Sequence, residues 1–330
     1  MSKEFVADFS DRAAWDQYVA SNAGPDGGLL QSFGWGEVQR AYHRPVRHAA
    51  QLENGRLVAG WQLFEHALPF HRRYWYCPRP CSSGQASAAL VAGIHGVASR
   101  AGAVFVRVDA PATLPWSAPG FSSVAGAVQP HEELIIDVHK PMDVLLSAMK
   151  QKTRYNIRLA QRHGIRVQSV VPDGAIFEDF WRLLSATAVR QGIRPHPRRY
   201  YLEIARTLPE VHLLTAYGSD IVLACAMLAE FNGVLTFLHG GSTDSQQELM
   251  APYALHAEGI ALAQRKKCRA YNFGGVSLTN AAWAGITRFK QGFAPETAFT
   301  SYSGLWELPV RPWEYALFRS IRRAAAFVHR

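Results

Sequence analysis

The residues most suited to chemistry lie in one strongly basic stretch near the middle of the chain. Between Met149 and Val167 there are six cationic side chains: Lys150, Lys152, Arg154, Arg158, Arg162 and Arg166. No acidic residue occurs from Val144 to Pro172. On a helix Arg154, Arg158 and Arg162 lie at i, i+4 and i+8 and so share one face, where like charges repel by roughly 0.2–0.5 kcal/mol per pair. The spacing therefore predicts a phosphate-binding helix, with a solvated basic surface helix as the alternative.

The whole chain is basic as well. Its 330 residues carry a formal net charge of +9, and 48% of them are hydrophobic, which is enough for the cores of about two domains. Such a charge suits a polyanionic partner, and RNA, a nucleotide diphosphate and an anionic membrane surface all remain possible partners.

Cysteine usage and the absence of targeting signals predict a cytoplasmic protein. The N-terminal segment is polar, without the apolar region of a signal peptide, and no run approaches the ~20 apolar residues that span a bilayer. The four cysteines, Cys77, Cys81, Cys225 and Cys268, form no disulfide framework in a chain of this length. We expect buried thiols and no metal site.

The elements that must position these residues repeat along the chain. The sequence around Asn54-Gly55 reads as strand, turn and strand, and the sequence around Ser219-Asp220 reads the same way about half a chain later. Each hairpin follows a predicted helix and precedes a further strand, a helix and a strand. This order predicts an α+β fold of two tandem domains with mixed, largely antiparallel sheets, at residues 1–145 and 146–330. The basic helix would open the second domain.

Several segments resemble the Fem peptidyltransferases, which transfer an amino acid from aminoacyl-tRNA onto peptidoglycan precursors. They occur in the family's order and span most of the chain: LLQSFGWGEVQ (29–39), RYWYCPRP (73–80), VRVDAP (106–111), KTRYNIRLAQRHGI (152–165), FLHGGST (237–243), PYALHAEGIALAQRKKCRAYNFGG (252–275) and RFKQGF (288–293). The resemblance implies two tandem acetyltransferase-like (GNAT-like) domains, in agreement with the repeat. We predict that a cleft between the two domains receives the precursor amine and the aminoacyl ester.

The RFKQGF segment carries the catalytic candidates. Acyl transfer from an ester to an amine passes through an oxyanion, which a positioned cation stabilises. Lys290 is our candidate, and the resemblance gives the matching lysine this role. Phe289 offers a ring face for stacking on a base, which by resemblance is the terminal adenine of the tRNA. The alternative is a core aromatic beside a solvated lysine.

Four residues of the first domain are candidates for precursor binding. Gln31 and Arg40 are polar groups suited to a nucleotide sugar or diphosphate, and Trp35 either lines a sugar pocket or packs in the core. Arg79 is a further cation beside a proline-flanked turn. The resemblance places the precursor site mainly in this domain, while Lys152, Arg154 and Arg158 of the second domain would bind phosphates of the precursor or the tRNA.

Two aromatic side chains of the second domain are further candidates. His239 ends a strand before Gly240-Gly241, where it could hydrogen-bond substrate or accept a proton. Tyr253 lies at the start of the following helix and is the better placed of its residues for a cleft. A structural role at the strand end is the alternative for His239.

The C-terminal segment is predicted to form a basic helix. Five arginines and one glutamate occur between residues 311 and 330, and Trp313, Leu317 and Ile321 recur at helical spacing. We expect the helix to cap the core of the second domain with one polar face outward. The alternative is peripheral contact with the inner face of the cytoplasmic membrane.

Taken together, the sequence predicts an aminoacyl-tRNA-dependent transferase whose acceptor is the amine of a UDP-linked or lipid-linked muramyl-peptide. The tRNA acceptor end would be a co-substrate, with no cofactor and no metal. Direct aminolysis is expected, because no nucleophilic triad is visible. No heptad run indicates the coiled-coil insertion of some family members.

Two alternatives stay open. An acyl-CoA-dependent GNAT N-acyltransferase could act on a cell-envelope or polysaccharide precursor, although residues 242–252 lack the glycines of a pyrophosphate-binding turn and contain Asp244 and Glu248. A non-catalytic RNA-binding protein would also explain the charge.

Overall fold

The computed structural model describes residues 3–81, 87–111, 116–170 and 174–328. The chain divides into two compact units. The first unit comprises Met1–Gly24, Leu30–Gln129 and Tyr302–Arg330, and the second unit comprises Pro25–Leu29 and Pro130–Ser301.

The first unit is built on a seven-stranded mixed sheet. Its strands are β1 (Lys3–Val6), β2 (Val46–Glu53), β3 (Arg56–Leu68), β4 (Arg72–Pro78), β5 (Phe105–Asp109), β6 (Ser122–Val124) and β14 (Leu305–Pro309). They lie in the order β1-β2-β3-β4-β5-β14-β6, in which only β4 and β5 run parallel. The helices are α1 (Arg12–Asn22), α2 (Phe33–Ala41), α3 (Ala88–Arg100) and α10 (Pro312–Val328).

The second unit repeats this plan. Its strands are β7 (Glu132–Asp137), β8 (Arg166–Val170), β9 (Val211–Gly218), β10 (Ile221–Phe231), β11 (Val234–Ser242), β12 (Ala270–Val276) and β13 (Thr300–Ser301). The order is β13-β7-β12-β11-β10-β9-β8, and β11 with β12 is the parallel pair. The helices are α4 (Met142–Ala148), α5 (Gln151–Arg162), α6 (Gly174–Arg190), α7 (Arg198–Thr207), α8 (Ala251–Arg265) and α9 (Ala284–Gln291).

Local sequence explains the repeated core of both units. Asn54 and Gly55 both have positive φ at the β2–β3 turn, as a tight hairpin requires. A parallel pair cannot be joined by a tight turn, so helix α3 crosses from β4 to β5 and helix α8 crosses from β11 to β12. Strand β10 is buried along nearly its whole length, in keeping with its continuous apolar sequence. The predicted α+β class with mixed, largely antiparallel sheets is confirmed.

The unit boundaries differ from the predicted division at residues 145 and 146. Strand β7 lies before that boundary, yet it pairs with β12 in the second sheet, with Ile136 opposite Tyr271. Strand β14 lies far beyond it, yet it pairs with β5 in the first sheet, with Glu307 opposite Arg107. Each of these strands is placed by pairing with a strand that is distant in the sequence. Local sequence patterns do not reveal such pairing.

Helix α10 also differs from the prediction. It belongs to the first unit, where the rings of Tyr315 and Phe318 pack on Phe105 of β5 at centroid distances of 5.6 and 5.1 Å. It does not cap the second unit's core. Among the helices in the described part of the chain, none is both long and apolar enough to cross a membrane.

Candidate functional site

The RFKQGF segment lies on helix α9 and its C-terminal end, in the second unit. Buried Thr287 ties this helix to the end of β12, because its hydroxyl donates to the carbonyl of Ser277 and accepts from the Ser277 N–H, at 3.1 and 3.0 Å. Arg288 is exposed, Phe289 is half-buried and Lys290 is buried. Successive residues on the helix thus face solvent, an aromatic cluster and the sheet.

Lys290 points at the end of the sheet rather than into solvent. Only 5% of it is exposed, and its Nζ donates to the carbonyl oxygen of Gly275 at 2.8 Å. The Nζ also lies 5.7 Å from the ring centroid of Phe237 on β11. Burial lowers the pKa of Lys290 to about 8, although the nearby Glu133 carboxylate acts in the opposite direction.

A buried polar link positions the carbonyl that holds Lys290. The Asn272 side chain donates to the Glu133 carboxylate at 2.8 Å and accepts from the Gly274 N–H at 2.7 Å. Gly274 has φ +72°, a conformation that favours glycine, and a Cβ there would lie 3.2 Å from the Phe237 carbonyl oxygen. The link therefore fixes the backbone of the Gly274-Gly275 segment, where Lys290 binds.

An aromatic cluster surrounds the neighbouring face of α9. Phe289 contacts Tyr253 edge-on at 4.9 Å and Phe293 at 5.5 Å. Buried His256 packs against Phe289 at 5.4 Å and shares a hydrogen bond with the Tyr271 hydroxyl at 3.0 Å. Burial, followed by the charge of Lys290, lowers the pKa of His256 to about 3, so this imidazole is neutral near pH 7.

A cavity of about 500 Å³ adjoins the cluster. Its lining includes Phe289, Tyr253, Ile286 and Arg190, and it extends along residues 242–253. That segment leads into α8, whose N-cap residue, Met250, has φ 57° and provides no side-chain cap. The first turn of α8 thus presents the positive end of the helix dipole next to the cavity. Of the predicted site residues, the cavity lining contains Phe289 and Tyr253 but not Lys290.

His239 lies on β11 with a partly buried side chain. Its ring meets Tyr201 edge-on at 4.9 Å. Burial, with His196 nearby, lowers the pKa of His239 to about 3. Gly241, two residues further on, allows α6 to pack closely on the strand, because a Cβ there would lie 2.4 Å from the carbonyl oxygen of Leu183.

The basic helix α5 presents some of its cations and uses another for structure. Thr153, Asn156, Ile157 and Ala160 form its buried face. Lys152 and Arg158 are exposed, as is Tyr155, whose ring lies 5.7 Å from the Arg162 guanidinium carbon. Arg154 instead donates to the carbonyl oxygens of Ser147, at 2.9 Å, and Met149. These carbonyls lie at the C-terminal end of α4, so Arg154 has a capping function.

Three of the four predicted binding residues of the first unit, Gln31, Trp35 and Arg79, are buried. Gln31 is buried, donates to the Pro78 carbonyl at 2.6 Å and accepts from the Gln62 N–H at 2.9 Å. Trp35 is buried in the first turn of α2, where its backbone N–H donates to the side-chain oxygen of the N-cap residue Ser32. Arg40 keeps 39% of its side chain exposed and lies 3.3 Å from the buried His48 ring nitrogen.

Arg79 is buried as well, and it has φ 45°. Its guanidinium carbon lies 3.5 Å from the ring centroid of Tyr302, a cation–π contact. The backbone N–H of Arg79 donates to the backbone carbonyl oxygen of Asp109 at 2.8 Å. The Asp109 carboxylate accepts from the Tyr76 hydroxyl and from the Gln129 N–H at 3.2 Å, and burial raises its pKa.

Among the described residues, one group could offer three ligand atoms to a metal: Glu210, His212 and Glu230. The Lys266 Nζ already lies 2.8 Å from Glu210 and 3.3 Å from Glu230. Its ammonium compensates both carboxylates, so this group is satisfied as an ion-pair cluster.

Sequence reasoning missed Glu133, Asn272 and His256. His256 follows Tyr253 by three residues and so shares its helix face, a signal that was present in the sequence. Glu133 carried no such signal, because its partner Asn272 is 139 residues away.

Comparison with known proteins identifies the family of this chain. The sequence model of the FemAB family matches residues 111–215 and 203–323, which together cover more than half of the chain. No curated protein sequence matches the chain.

Three solved structures have a similar fold. FemX superposes with a TM-score of 0.79 at 17% identity, covering 96% of this chain and 99% of FemX. A domain of a protein named as a lysylphosphatidylglycerol synthetase, from Agrobacterium fabrum, gives 0.57 at 14% identity, with 94% and 95% covered. A tandem GNAT protein from the clavulanic acid biosynthesis pathway gives 0.54 at 11% identity, with 94% and 99% covered.

At such low sequence identities the structural similarity shows the fold alone, which is the predicted pair of tandem GNAT-like halves. The family match extends over the basic helix, the cavity and the RFKQGF helix. The protein belongs to the FemAB family.

Proposed function

We propose that the protein is an aminoacyltransferase that moves an amino acid from aminoacyl-tRNA to the amine of a peptidoglycan-precursor stem peptide. Membership of the FemAB family supports aminoacyl transfer related to peptidoglycan, and the similarity to a tandem GNAT protein supports acyl transfer as the type of reaction. The observation that carries the proposal is the buried Lys290, held by the Gly275 carbonyl next to Phe289 in the cavity wall.

In the proposed reaction the acceptor amine attacks the ester carbonyl of the donor. A C–N bond forms, the ester C–O bond breaks, and the terminal ribose oxygen of the tRNA leaves with the proton that the amine loses. One of the three N–H donors of Lys290 is engaged by Gly275, which leaves others for the oxyanion. Because Lys290 is buried, its positive charge stabilises the oxyanion more strongly than a cation in water would.

The proton is not assigned to a histidine. His239 and His256 both have a pKa of about 3, and a base this weak is a poor acceptor for an amine proton near neutral pH. Both imidazoles are suited to hydrogen bonding in the neutral form. Direct aminolysis, with the proton passed between the two substrates, fits these side chains.

The remaining residues have binding roles in this proposal. Phe289 stacks on the terminal base of the tRNA in the cavity, and Tyr253 supports its ring. Lys152 and Arg158 bind phosphates of the tRNA or the precursor, while Arg154 positions the start of their helix. In the first unit, Arg40 is the predicted cation that remains accessible to a diphosphate.

The test is transfer of a radiolabelled amino acid from a charged tRNA pool to UDP-linked muramyl-pentapeptide and to its lipid-linked form. Lys290→Met should lose at least about a hundredfold in rate, the usual effect of removing an oxyanion partner. Arg288→Met is the matched control, because this neighbouring cation is exposed on the same helix. Wild-type protein that transfers nothing to either acceptor but acetylates an amine from acetyl-CoA would replace the proposal with the acyl-CoA alternative.

A further inference from the structure

Helix α5 exposes an aromatic side chain between cations. Tyr155 is 54% exposed, and Gln151, Arg158 and Arg162 are exposed as well. Their spacing of three and four residues places these four side chains on one side of the helix, opposite its buried face. We call these four residues the α5 stripe.

The ring of Tyr155 is held on one side and open on the other. The guanidinium carbon of Arg162 lies over the ring, 5.7 Å from its centroid, in a cation–π contact. Among the described residues, no hydrogen bond and no second aromatic ring engages Tyr155. The second face of this ring is therefore available to a planar partner from outside the unit.

The cations along the stripe are not compensated by the protein. Lys152, which flanks the stripe, Arg158 and Arg162 form no ion pair with a carboxylate in the described part of the chain. Arg166, beyond the end of the helix, differs because it lies 3.9 Å from the Asp220 carboxylate. Cations that are left unpaired along one helix fit an extended polyanion as the partner.

The length of the charged surface favours RNA over a compact ligand. Lys152 and Arg162 are ten residues apart, which is roughly 15 Å along a helix. A diphosphate places its two phosphates side by side, so it meets one part of this surface, whereas an RNA strand carries a phosphate at every nucleotide. An unpaired base also offers a flat face to Tyr155. A bilayer requires a broad apolar face, and the stripe has a single ring.

The stripe belongs to an element that adjoins the cavity wall. Helix α5 packs on α8 and meets the C-terminal end of α9. These two helices contribute Tyr253 and Phe289 to the lining of the cavity. For an RNA end that is bound in the cavity, α5 is thus a neighbouring surface of the same unit.

We propose that the α5 stripe binds an unpaired segment of RNA, with one base stacked on Tyr155 and phosphates bound by Lys152, Arg158 and Arg162. The identification of this RNA with the 3′ end of the donor tRNA rests on the proposed function. Aromatic stacking accepts any base, so the stripe adds affinity without reading the sequence. These cations are then assigned to the tRNA and not to the diphosphate of the precursor.

The test measures binding of two uncharged RNA hairpins to the full chain by fluorescence anisotropy. One hairpin has a single-stranded 3′ overhang and the other has a blunt end. Wild-type protein should bind the overhang hairpin more tightly. Tyr155→Ala should weaken binding of this hairpin by roughly 5- to 150-fold, the range for loss of one stacked base, and should change binding of the blunt hairpin little. Tyr155→Phe should retain the wild-type affinity, because it keeps the ring.

Two further variants test the cation–π contact and the specificity of the effect. Arg162→Gln should weaken binding of the overhang hairpin and make it less dependent on salt, because a phosphate contact is lost. Phe70→Ala is the aromatic control, because Phe70 is 84% exposed on the first unit, and Arg56→Gln at the exposed β2–β3 turn is the charge control. Both controls should bind as wild type does. Thermal unfolding of each variant verifies that the fold is retained.

Three results would overturn the proposal. Tyr155→Ala could bind the overhang hairpin as tightly as wild type does, or it could lose the same factor with both hairpins. Unchanged RNA binding together with weaker binding of UDP-linked muramyl-pentapeptide would instead assign the stripe to the precursor. No acyl group is transferred in these assays, so a protein that binds RNA as expected but transfers no amino acid would contradict the proposed function and not this inference.

Discussion

The backbone N–H of Lys150 donates a hydrogen bond to the carbonyl oxygen of Gly292 across 2.9 Å. The basic helix α5 therefore begins where the RFKQGF helix α9 ends, although the two segments are about 140 residues apart in the sequence. At this junction a Cβ on Gly292 would lie 2.3 Å from the Thr153 hydroxyl oxygen. The cations of α5 and Lys290 are thus parts of one packed arrangement, and Gly292 permits the close approach.

This junction predicts that Gly292→Ala destabilises the protein. The added methyl group must displace the buried Thr153 side chain, and overpacking of this kind costs about 1–3 kcal/mol. Gly285→Ala on the same helix is the matched control, because its Cβ would meet nothing within 4 Å. There the loss of backbone freedom in the unfolded chain should stabilise by roughly 0.5–1 kcal/mol. Urea unfolding of both variants tests this, and a Gly292→Ala protein as stable as Gly285→Ala would refute the packing argument.

Much of the fold could be predicted from the sequence, and particular residues show why. Asn54-Gly55 has the turn chemistry of a tight hairpin, and the helix–strand order repeats in both halves, so the tandem α+β plan was visible. The unit boundaries were not, because β7 and β14 are placed by register with partners such as Tyr271 and Arg107. Pairing between distant strands leaves no local pattern.

The site was predicted less completely than the fold. Helical spacing put Arg154, Arg158 and Arg162 on one face, but it did not show that Arg154 bends back to the carbonyls of α4. Residue type likewise did not separate Arg40, which keeps part of its side chain in solvent, from Arg79, which is buried over Tyr302. Polarity predicts that a group needs a partner, and only the fold decides whether that partner is protein or ligand.

The pKa of Lys290 predicts a pH dependence of the transfer reaction. Below about pH 8 the side chain is an ammonium and stabilises the oxyanion, and above it the charge is lost. The acceptor amine also titrates, so the informative quantity is the ratio of kcat/KM between wild type and Lys290→Met. We expect this ratio to fall as the pH rises through about 8. A ratio that stays constant from pH 6 to pH 10 would remove Lys290 from the chemical step.

The same pKa predicts how stability depends on pH. The folded-state value of about 8 lies below the ordinary value of 10.5, so at low pH the charged lysine opposes folding by a constant amount. Between about pH 8 and 10.5 the folded protein releases this proton while the unfolded chain keeps it, and stability rises. Relative to Lys290→Met, the free energy of unfolding of the wild type should increase by at most roughly 3 kcal/mol across that window, and local relaxation around the buried charge reduces this increase. Urea unfolding of both proteins at pH 7 and pH 10 measures it, and a difference that falls with pH would contradict the assignment.

The two roles of arginine on α5 predict opposite phenotypes for neighbouring substitutions. Arg154→Ala removes the donor to the Ser147 and Met149 carbonyls, so it should lower stability by about 1–2 kcal/mol. Arg158→Ala changes an exposed side chain and should leave stability within about 0.5 kcal/mol. If Arg158 contacts a phosphate, its loss should weaken tRNA binding. The slope of the logarithm of the binding constant against the logarithm of the salt concentration should then become shallower by about one. Thermal unfolding measures the stability of the two variants, and a salt titration of their tRNA affinity measures the phosphate contacts. If Arg158→Ala loses stability while its tRNA affinity depends on salt as in wild type, both arginines are structural.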